Sequence, residues 1–280
     1  MELIYSIIDT VLPFEFTSYS FMKNSLVAIL IATPIFGLIG TMIVNKKMAF
    51  FSDAMGHSAL TGIAIGVLFS FTSHTLSMII FAILFSVLLN IVKDKTTYGA
   101  DTIISVFTSM SLAIGLAILS GLGSFNKYSS YLIGDILSIS EPEIVYLFIC
   151  LILVCIIWLF SYNKINASTI NESLAKSKRI NPKLYDYLFS AFIAVIVMLS
   201  IRWIGILLIN SLIILPAAAS RNIAHNTRTY HLYTLAFSLI MGLCGLVISY
   251  YSKIPTGPMI VILLGTTFGI TFLIKVKSAS

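Results

Sequence analysis

Residues 50–69 read FFSDAMGHSALTGIAIGVLF, an apolar run interrupted by a carboxylate at Asp53 and an imidazole at His57. A run of about 20 apolar residues is what one helix needs to cross the hydrocarbon core of a bilayer. Four residues make one helical turn plus about 40°, so Asp53 and His57 share a face of that helix. Ionisable groups are expensive in such a setting, and the pair therefore reads as part of a transport or ligand path. The same helix carries Ala54, Ser58, Gly62 and Gly66 at every fourth position, a ridge of small residues that lets another backbone come close. Asp53, His57 and Thr61 occupy the neighbouring strip, which places the polar groups beside a helix–helix contact and away from lipid.

The surrounding chain has the same character. Hydrophobic residues make up 58% of the 280 and charged residues only 10%, against an apolar content of about 45–50% in soluble domains. The expected fold is all-α and polytopic, with eight or nine transmembrane helices in one membrane domain. Nine apolar segments fall at roughly 24–44, 48–71, 75–92, 103–122, 143–162, 185–201, 203–222, 231–251 and 257–275. The membrane domain is placed at 24–277, preceded by an outer-face or interfacial segment at 1–23. That segment holds Glu2, Asp9 and Glu15 but no basic residue before Lys23, unlike the basic start of a secretory signal.

Basic residues set the orientation. With an outside N-terminus and nine alternating spans, Lys46, Lys47, Lys93, Lys95, Lys164, Lys176, Lys178, Arg179, Lys183, Arg221, Arg228, Lys275 and Lys277 fall on the cytoplasmic side. Only Lys23, Lys127, Arg202 and Lys253 fall outside. This is the asymmetry of the positive-inside rule. The net charge of +6 is thus spread over cytoplasmic rims that meet anionic headgroups and partner proteins, and it is not a nucleic-acid signature. A multi-pass protein of the cell membrane is expected.

Several chemistries are missing from the motifs. Cys150, Cys155 and Cys244 lie inside spans without CxxC spacing and read as small core hydrophobes. HExxH and GxSxG are absent, and Ser58 beside His57 cannot act as a nucleophile–base pair through sequence adjacency. No GxxxxGK[ST] loop is present, so ATP is not bound here in the usual way. A membrane enzyme is disfavoured. A gradient-driven secondary carrier with Asp53 as a proton site is the alternative to an ATP-driven transporter, although no convincing internal repeat supports it.

Two readings of the Asp53–His57 pair compete. An intrahelical hydrogen bond would satisfy both groups with no ligand. Alternatively, carboxylate oxygen and imidazole nitrogen together suit zinc, manganese or iron(II). Two ligands are too few for a site, and a two-fold partner meeting at this helix would supply two more. His74 falls in an outer turn, while His225 and His231 flank an inner loop and are expected to be solvated. Asp135, in the outer loop 123–142, is a second ion-path candidate. The longest polar stretch is the inner loop 163–184, NKINASTINESLAKSKRINPKL. Within it, Asn171 to Lys178 has helix-forming character, with Thr169 or Asn171 as N-cap and Pro182 as the stop. Such a short basic helix is either a docking element or a solvated linker.

Four runs in order, MAFFSDAMGHSALTGIAIGVLF, SYLIGDILSIS, NESLAKSKRIN and RWIGILLINSLIILPAAASRNIA, resemble the membrane permeases of ATP-binding-cassette importers for zinc, manganese and iron. The likeness extends from about residue 24 to 275. It implies a second copy of the chain, a cytoplasmic ATPase dimer, an extracytoplasmic metal-binding receptor, and a transported divalent metal in place of a permanent cofactor. Zinc is favoured, because the second-span and YLIGD motifs look closer to zinc-type relatives. By the same resemblance Asp53 and His57 hold metal along the pathway. Glu172, Leu174 and Ala175, with Lys176 following, occupy the ATPase-docking motif, and Pro216 breaks its helix and frees backbone carbonyls. One departure stands out: the family usually has glycine four residues after that alanine, and this chain has Arg179.

Overall fold

The computed structural model describes residues 2–11, 15–170 and 172–279, with backbone alone for Glu2, Leu3, Ile4, Ile7, Val11, Ile170, Glu172, Leu174 and Ala279. The helices are α1 (Glu2–Val11), α2 (Ser20–Asn45), α3 (Ala49–Leu68), α4 (His74–Lys95), α5 (Ala100–Gly121), the single turns α6 (Phe125–Tyr128) and α7 (Ser130–Ile133), α8 (Glu141–Ile170), α9 (Glu172–Ser177), α10 (Pro182–Ile204), α11 (Ile206–Ile223), α12 (Thr227–Ser252) and α13 (Thr256–Ala279). Short 3-10 pieces lie at Glu15–Ser18 and Ile136–Ser138, and no strand occurs among the described residues.

Among the described residues eight helices, α2, α4, α5, α8 and α10–α13, are long and apolar enough to cross a membrane. The ninth expected span is also a helix, α3, whose 20 residues reach about 30 Å at 1.5 Å per residue. It stands outside the eight because Asp53, His57 and its serines lower its apolarity. Burial within protein replaces lipid around it: Phe51, Ala54, Met55, Ala59, Leu60, Ile63 and Ala64 are all buried.

The chain forms two compact units. One comprises residues 45–134 and 159–210 and is built around α3, which packs against α4, α5 and α10. The small-residue ridge does what its spacing predicts. A Cβ on Gly62 would lie 2.8 Å from the Met78 Cα, and one on Gly66 2.3 Å from Ser77 Oγ, so α4 rides directly on the ridge. Ser77 Oγ donates to the Gly62 carbonyl at 2.9 Å, and Asn90 Nδ2 on α4 donates to Ser190 Oγ on α10 at 2.5 Å. Such interhelical polar contacts are worth about 0.6 kcal/mol each in membrane proteins.

The other unit comprises residues 1–44, 135–158 and 211–280. Here α2 approaches α11 at Gly40, whose Cβ would fall 2.0 Å from the Ile213 carbonyl oxygen, and α12 at Gly242, whose Cβ would meet Thr33 Cγ2 at 2.7 Å. The segment before α2 is pinned to this unit. Asp9 pairs with Lys23 at 2.6 Å, and the Tyr5 hydroxyl bonds the Asn24 side chain and lies 3.2 Å from Glu141 Oε1. Burial, then the Glu141 carboxylate, raises the Tyr5 phenol above its ordinary range.

Several local expectations need correction. Pro216 does not break its helix: α11 runs unbroken through it, and the missing N–H removes only the bond to the Leu212 carbonyl. The break falls instead at Gly205 (φ +91°), a single residue between α10 and α11. His231 is not solvated but buried, its ring edge-on to Trp158 at 5.2 Å. His225 is exposed, as expected. The cysteines are unpaired, and Cys244 is exposed on α12 rather than packed in a core.

Candidate functional site

Helix α3 presents four different strips. Gly62 and Gly66 face α4, as above. Thr61 faces α5: its hydroxyl donates to the Ser111 carbonyl, Ser111 Oγ returns a bond to Thr61 Oγ1 at 2.9 Å, and a Cβ on Gly115 would lie 2.7 Å from the Thr61 amide nitrogen. Near the N-terminus, Ser52 Oγ donates to Asn210 Oδ1 on α11, and Gly56 lies against the Ile206 carbonyl. The strip left uncovered carries Asp53 and His57, whose side chains are 42% and 26% exposed. Thr61 therefore parts company with the pair, because its hydroxyl is committed to helix packing.

The carboxylate and the imidazole are adjacent but not closed on each other. His57 Nε2 lies 3.8 Å from Asp53 Oδ2, beyond hydrogen-bond range. A tetrahedral ion with bonds of about 2.1 Å needs donor atoms about 3.4 Å apart, so a shift of a few tenths of an ångström would place both on one cation. Among the described residues no cluster of three or more His, Cys, Asp or Glu side chains is assembled within the chain. The pair thus offers one oxygen and one nitrogen donor, 3.8 Å apart and both partly exposed.

The other candidates lie elsewhere. Asp135 is exposed and accepts from the Leu137 amide at 3.0 Å, capping the turn Ile136–Ser138. Pro216 is buried within α11. His74 opens α4, with Nε2 2.8 Å from the Tyr128 hydroxyl. Within the 163–184 stretch the expected short helix is present as α9 (Glu172–Ser177). Ala175 is buried and Lys176 exposed, whereas Asn171 and the side chains of Glu172 and Leu174 lie outside the described residues.

The stop signal of α9 is Arg179, not Pro182. Arg179 adopts φ +58°, its amide donates to the Lys176 carbonyl at 2.9 Å, and the Ile180 amide donates to the Ala175 carbonyl at 3.0 Å. These two bonds form a Schellman motif with arginine at the position that usually holds glycine. Pro182 begins α10, with Asn181 as its N-cap. The departure from the family pattern thus leaves the bend itself intact.

Two motifs that looked separate in sequence meet at glycines. A Cβ on Gly134, in SYLIGDILSIS, would lie 2.2 Å from the Gly205 nitrogen, in RWIGILL, and α7 packs on α10 at this point. Sequence reading missed this crossing, as it missed Ser111 and Asn210. A positive-φ requirement at both glycines was the available signal, and it is silent about which backbone they approach.

Helices long and apolar enough to cross a membrane, one further helix carrying a carboxylate and an imidazole four residues apart, and a short helix between α8 and α10 define a class: multi-pass transport proteins of the cell membrane. The chain belongs to the ABC 3 transport family, whose match covers residues 18–275. It is 26% identical over 242 residues to the high-affinity zinc uptake system membrane protein ZnuB of Haemophilus influenzae, spanning 86% of this chain and 91% of that protein. It is 24% identical over 268 residues to the manganese import system permease protein ScaB of Streptococcus parasanguinis, spanning 92% of each. Its fold is similar to PsaBC from Streptococcus pneumoniae in complex with Fab, with TM-score 0.79, 21% identity, and coverage of 97% of this chain and 95% of that one. Family membership favours the ATP-binding-cassette reading over the gradient-driven carrier.

Proposed function

We propose that this chain is the permease subunit of an ATP-binding-cassette importer for a divalent transition-metal ion, with zinc favoured over manganese or iron(II). The observation that carries the metal is the open Asp53–His57 pair, one oxygen and one nitrogen donor 3.8 Å apart on a protein-buried helix. Two relatives whose names specify zinc uptake and manganese import support the same substrate class. Affinity alone does not separate these metals at an N/O site, and zinc is favoured on the likeness of the second-span and YLIGD motifs to zinc-type relatives.

A second copy of the chain, apposed at the uncovered strip of α3, completes the coordination with its own carboxylate and imidazole. An extracytoplasmic receptor delivers the ion. A cytoplasmic ATPase dimer supplies the energy, because this chain has no phosphate loop. The ATPase engages α9, through Glu172, Leu174, Ala175 and Lys176. Movement of α9 is transmitted through the Arg179 turn into α10, on which α9 packs, and α10 packs on α3. The route from the ATPase to the half-site is therefore two helix contacts long and lies inside one compact unit.

The test is metal accumulation by cells that express this chain with its ATPase and receptor, compared with Asp53→Asn and His57→Ala variants. Loss of accumulation with membrane assembly retained supports the proposal. Accumulation equal to the unaltered chain in both variants removes the half-site from the path.

A further inference from the structure

A cavity of about 300 Å³ opens where α2 ends, α3 begins, α4 ends and α5 begins. It lies at the end of the bundle that the basic-residue asymmetry assigns to the cytoplasm, and it is remote in kind from a cation path. Lys46, Lys47 and Lys93 line it, against a single lining carboxylate, Asp101. Lys46 is held in place by an ion pair with Asp186 and by the Phe189 ring, 5.9 Å from its ammonium. Lys47 and Lys93 are exposed. The other nearby ion pair, Lys183 with Asp94 at 3.2 Å, satisfies itself beyond the rim.

Apart from Asn90 the rest of the lining is apolar, with Phe51, Leu89 and Ile103 buried. Asn90 is buried too, and it is already bonded to Ser86 and Ser190. Helix α5 starts at the cavity wall with Gly99 as N-cap and no side-chain cap, so its positive end faces the same space. A basic rim over an apolar floor at the headgroup level matches one ligand chemistry, a phosphodiester carrying hydrocarbon chains. With Lys46 neutralised by Asp186, the two free ammonium groups exceed Asp101 by one charge, which suits a monoanion.

We propose that this cavity binds an anionic glycerophospholipid of the inner leaflet, its phosphate between Lys47 and Lys93 and its glycerol and upper acyl chain against Phe51, Leu89 and Ile103. The inference is independent of the transported ion. It gives the cytoplasmic ends of α2 to α5 a fixed lipid neighbour, and it makes the membrane's anionic lipid content a determinant of their packing.

The experiment is native mass spectrometry of the purified full chain titrated with phosphatidylglycerol or phosphatidylcholine of identical chains. The unaltered protein should bind one phosphatidylglycerol in clear preference to phosphatidylcholine. Each of Lys47→Gln and Lys93→Gln should weaken that binding about fivefold, and Asp101→Asn should strengthen it by a similar factor. The opposite signs separate the proposal from misfolding, which would weaken binding in all three. Equal binding of the two lipids, or variants that bind phosphatidylglycerol like the unaltered chain, would overturn it. So would displacement of the lipid by millimolar inorganic phosphate, which would make this a soluble-anion site, or displacement by the ATPase subunit, which would make it a protein-docking surface.

Discussion

Gly134 and Gly205 meet backbone to backbone: a Cβ on Gly134 would fall 2.2 Å from the Gly205 nitrogen, and one on Gly205 would fall 2.2 Å from the Ile133 carbonyl carbon. Both residues have positive φ, +68° and +91°. The contact fastens the YLIGD segment to the junction of α10 and α11, so the continuity of that junction depends on two missing side chains.

Alanine at either position meets a backbone atom, which cannot move aside as a flexible side chain can, and also forces an L-residue into glycine-only dihedrals. Gly205→Ala and Gly134→Ala are each expected to destabilise the fold by about 3 kcal/mol or more. Thermal unfolding of the detergent-purified protein checks this. Gly121→Ala is the control, since nothing lies within 4 Å of its Cβ position, and it should leave the transition unchanged.

Arg179 at φ +58° carries a left-handed cost that glycine does not, about 1 kcal/mol. Arg179→Gly should therefore stabilise the end of α9 by about that amount, and hydrogen exchange at the Arg179 and Ile180 amides should slow severalfold. Arg179→Val should speed it. If the glycine variant exchanges faster, the left-handed turn is not what limits α9.

Thr61→Val removes the hydroxyl that donates to the Ser111 carbonyl while keeping the shape. It should lower stability by about 0.6 kcal/mol and leave metal accumulation intact, because Thr61 serves the contact with α5. Loss of transport at unchanged stability would return Thr61 to the path.

Charge reversal at Glu172, which opens α9, should weaken co-purification of the ATPase subunit and lower transport-coupled ATP hydrolysis. Unchanged hydrolysis and transport would mean that α9 is a linker between α8 and α10.

Much of this was legible in the sequence because it depends on local pattern. Apolar length located the nine long helices among the described residues, and the small-residue spacing marked Gly62 and Gly66 as a face on which α4 packs. Cation asymmetry placed Lys46, Lys47 and Lys93 at one end, although not the cavity that gathers them. What could not be read depends on distant partners. The proline rule marks Pro216 as a break, yet α11 continues because a single missing N–H is tolerable inside a packed helix. Pro182 looked like a helix stop and is a helix start, since the chain had already turned at Arg179. Thr61 continues the four-residue spacing of Asp53 and His57, and only the position of α5 shows that it belongs to a packed strip and they do not.

The central claim is that Asp53 and His57 form half of a metal site on an import path. The most direct measurement is uptake of radioactive zinc and manganese by cells carrying the complete importer with Asp53→Asn in this chain, normalised to the amount assembled with its ATPase. Removing one of the few charged ligands should reduce uptake about tenfold or more while assembly is unchanged. Uptake at the level of the unaltered importer, with assembly equally intact, would contradict the account.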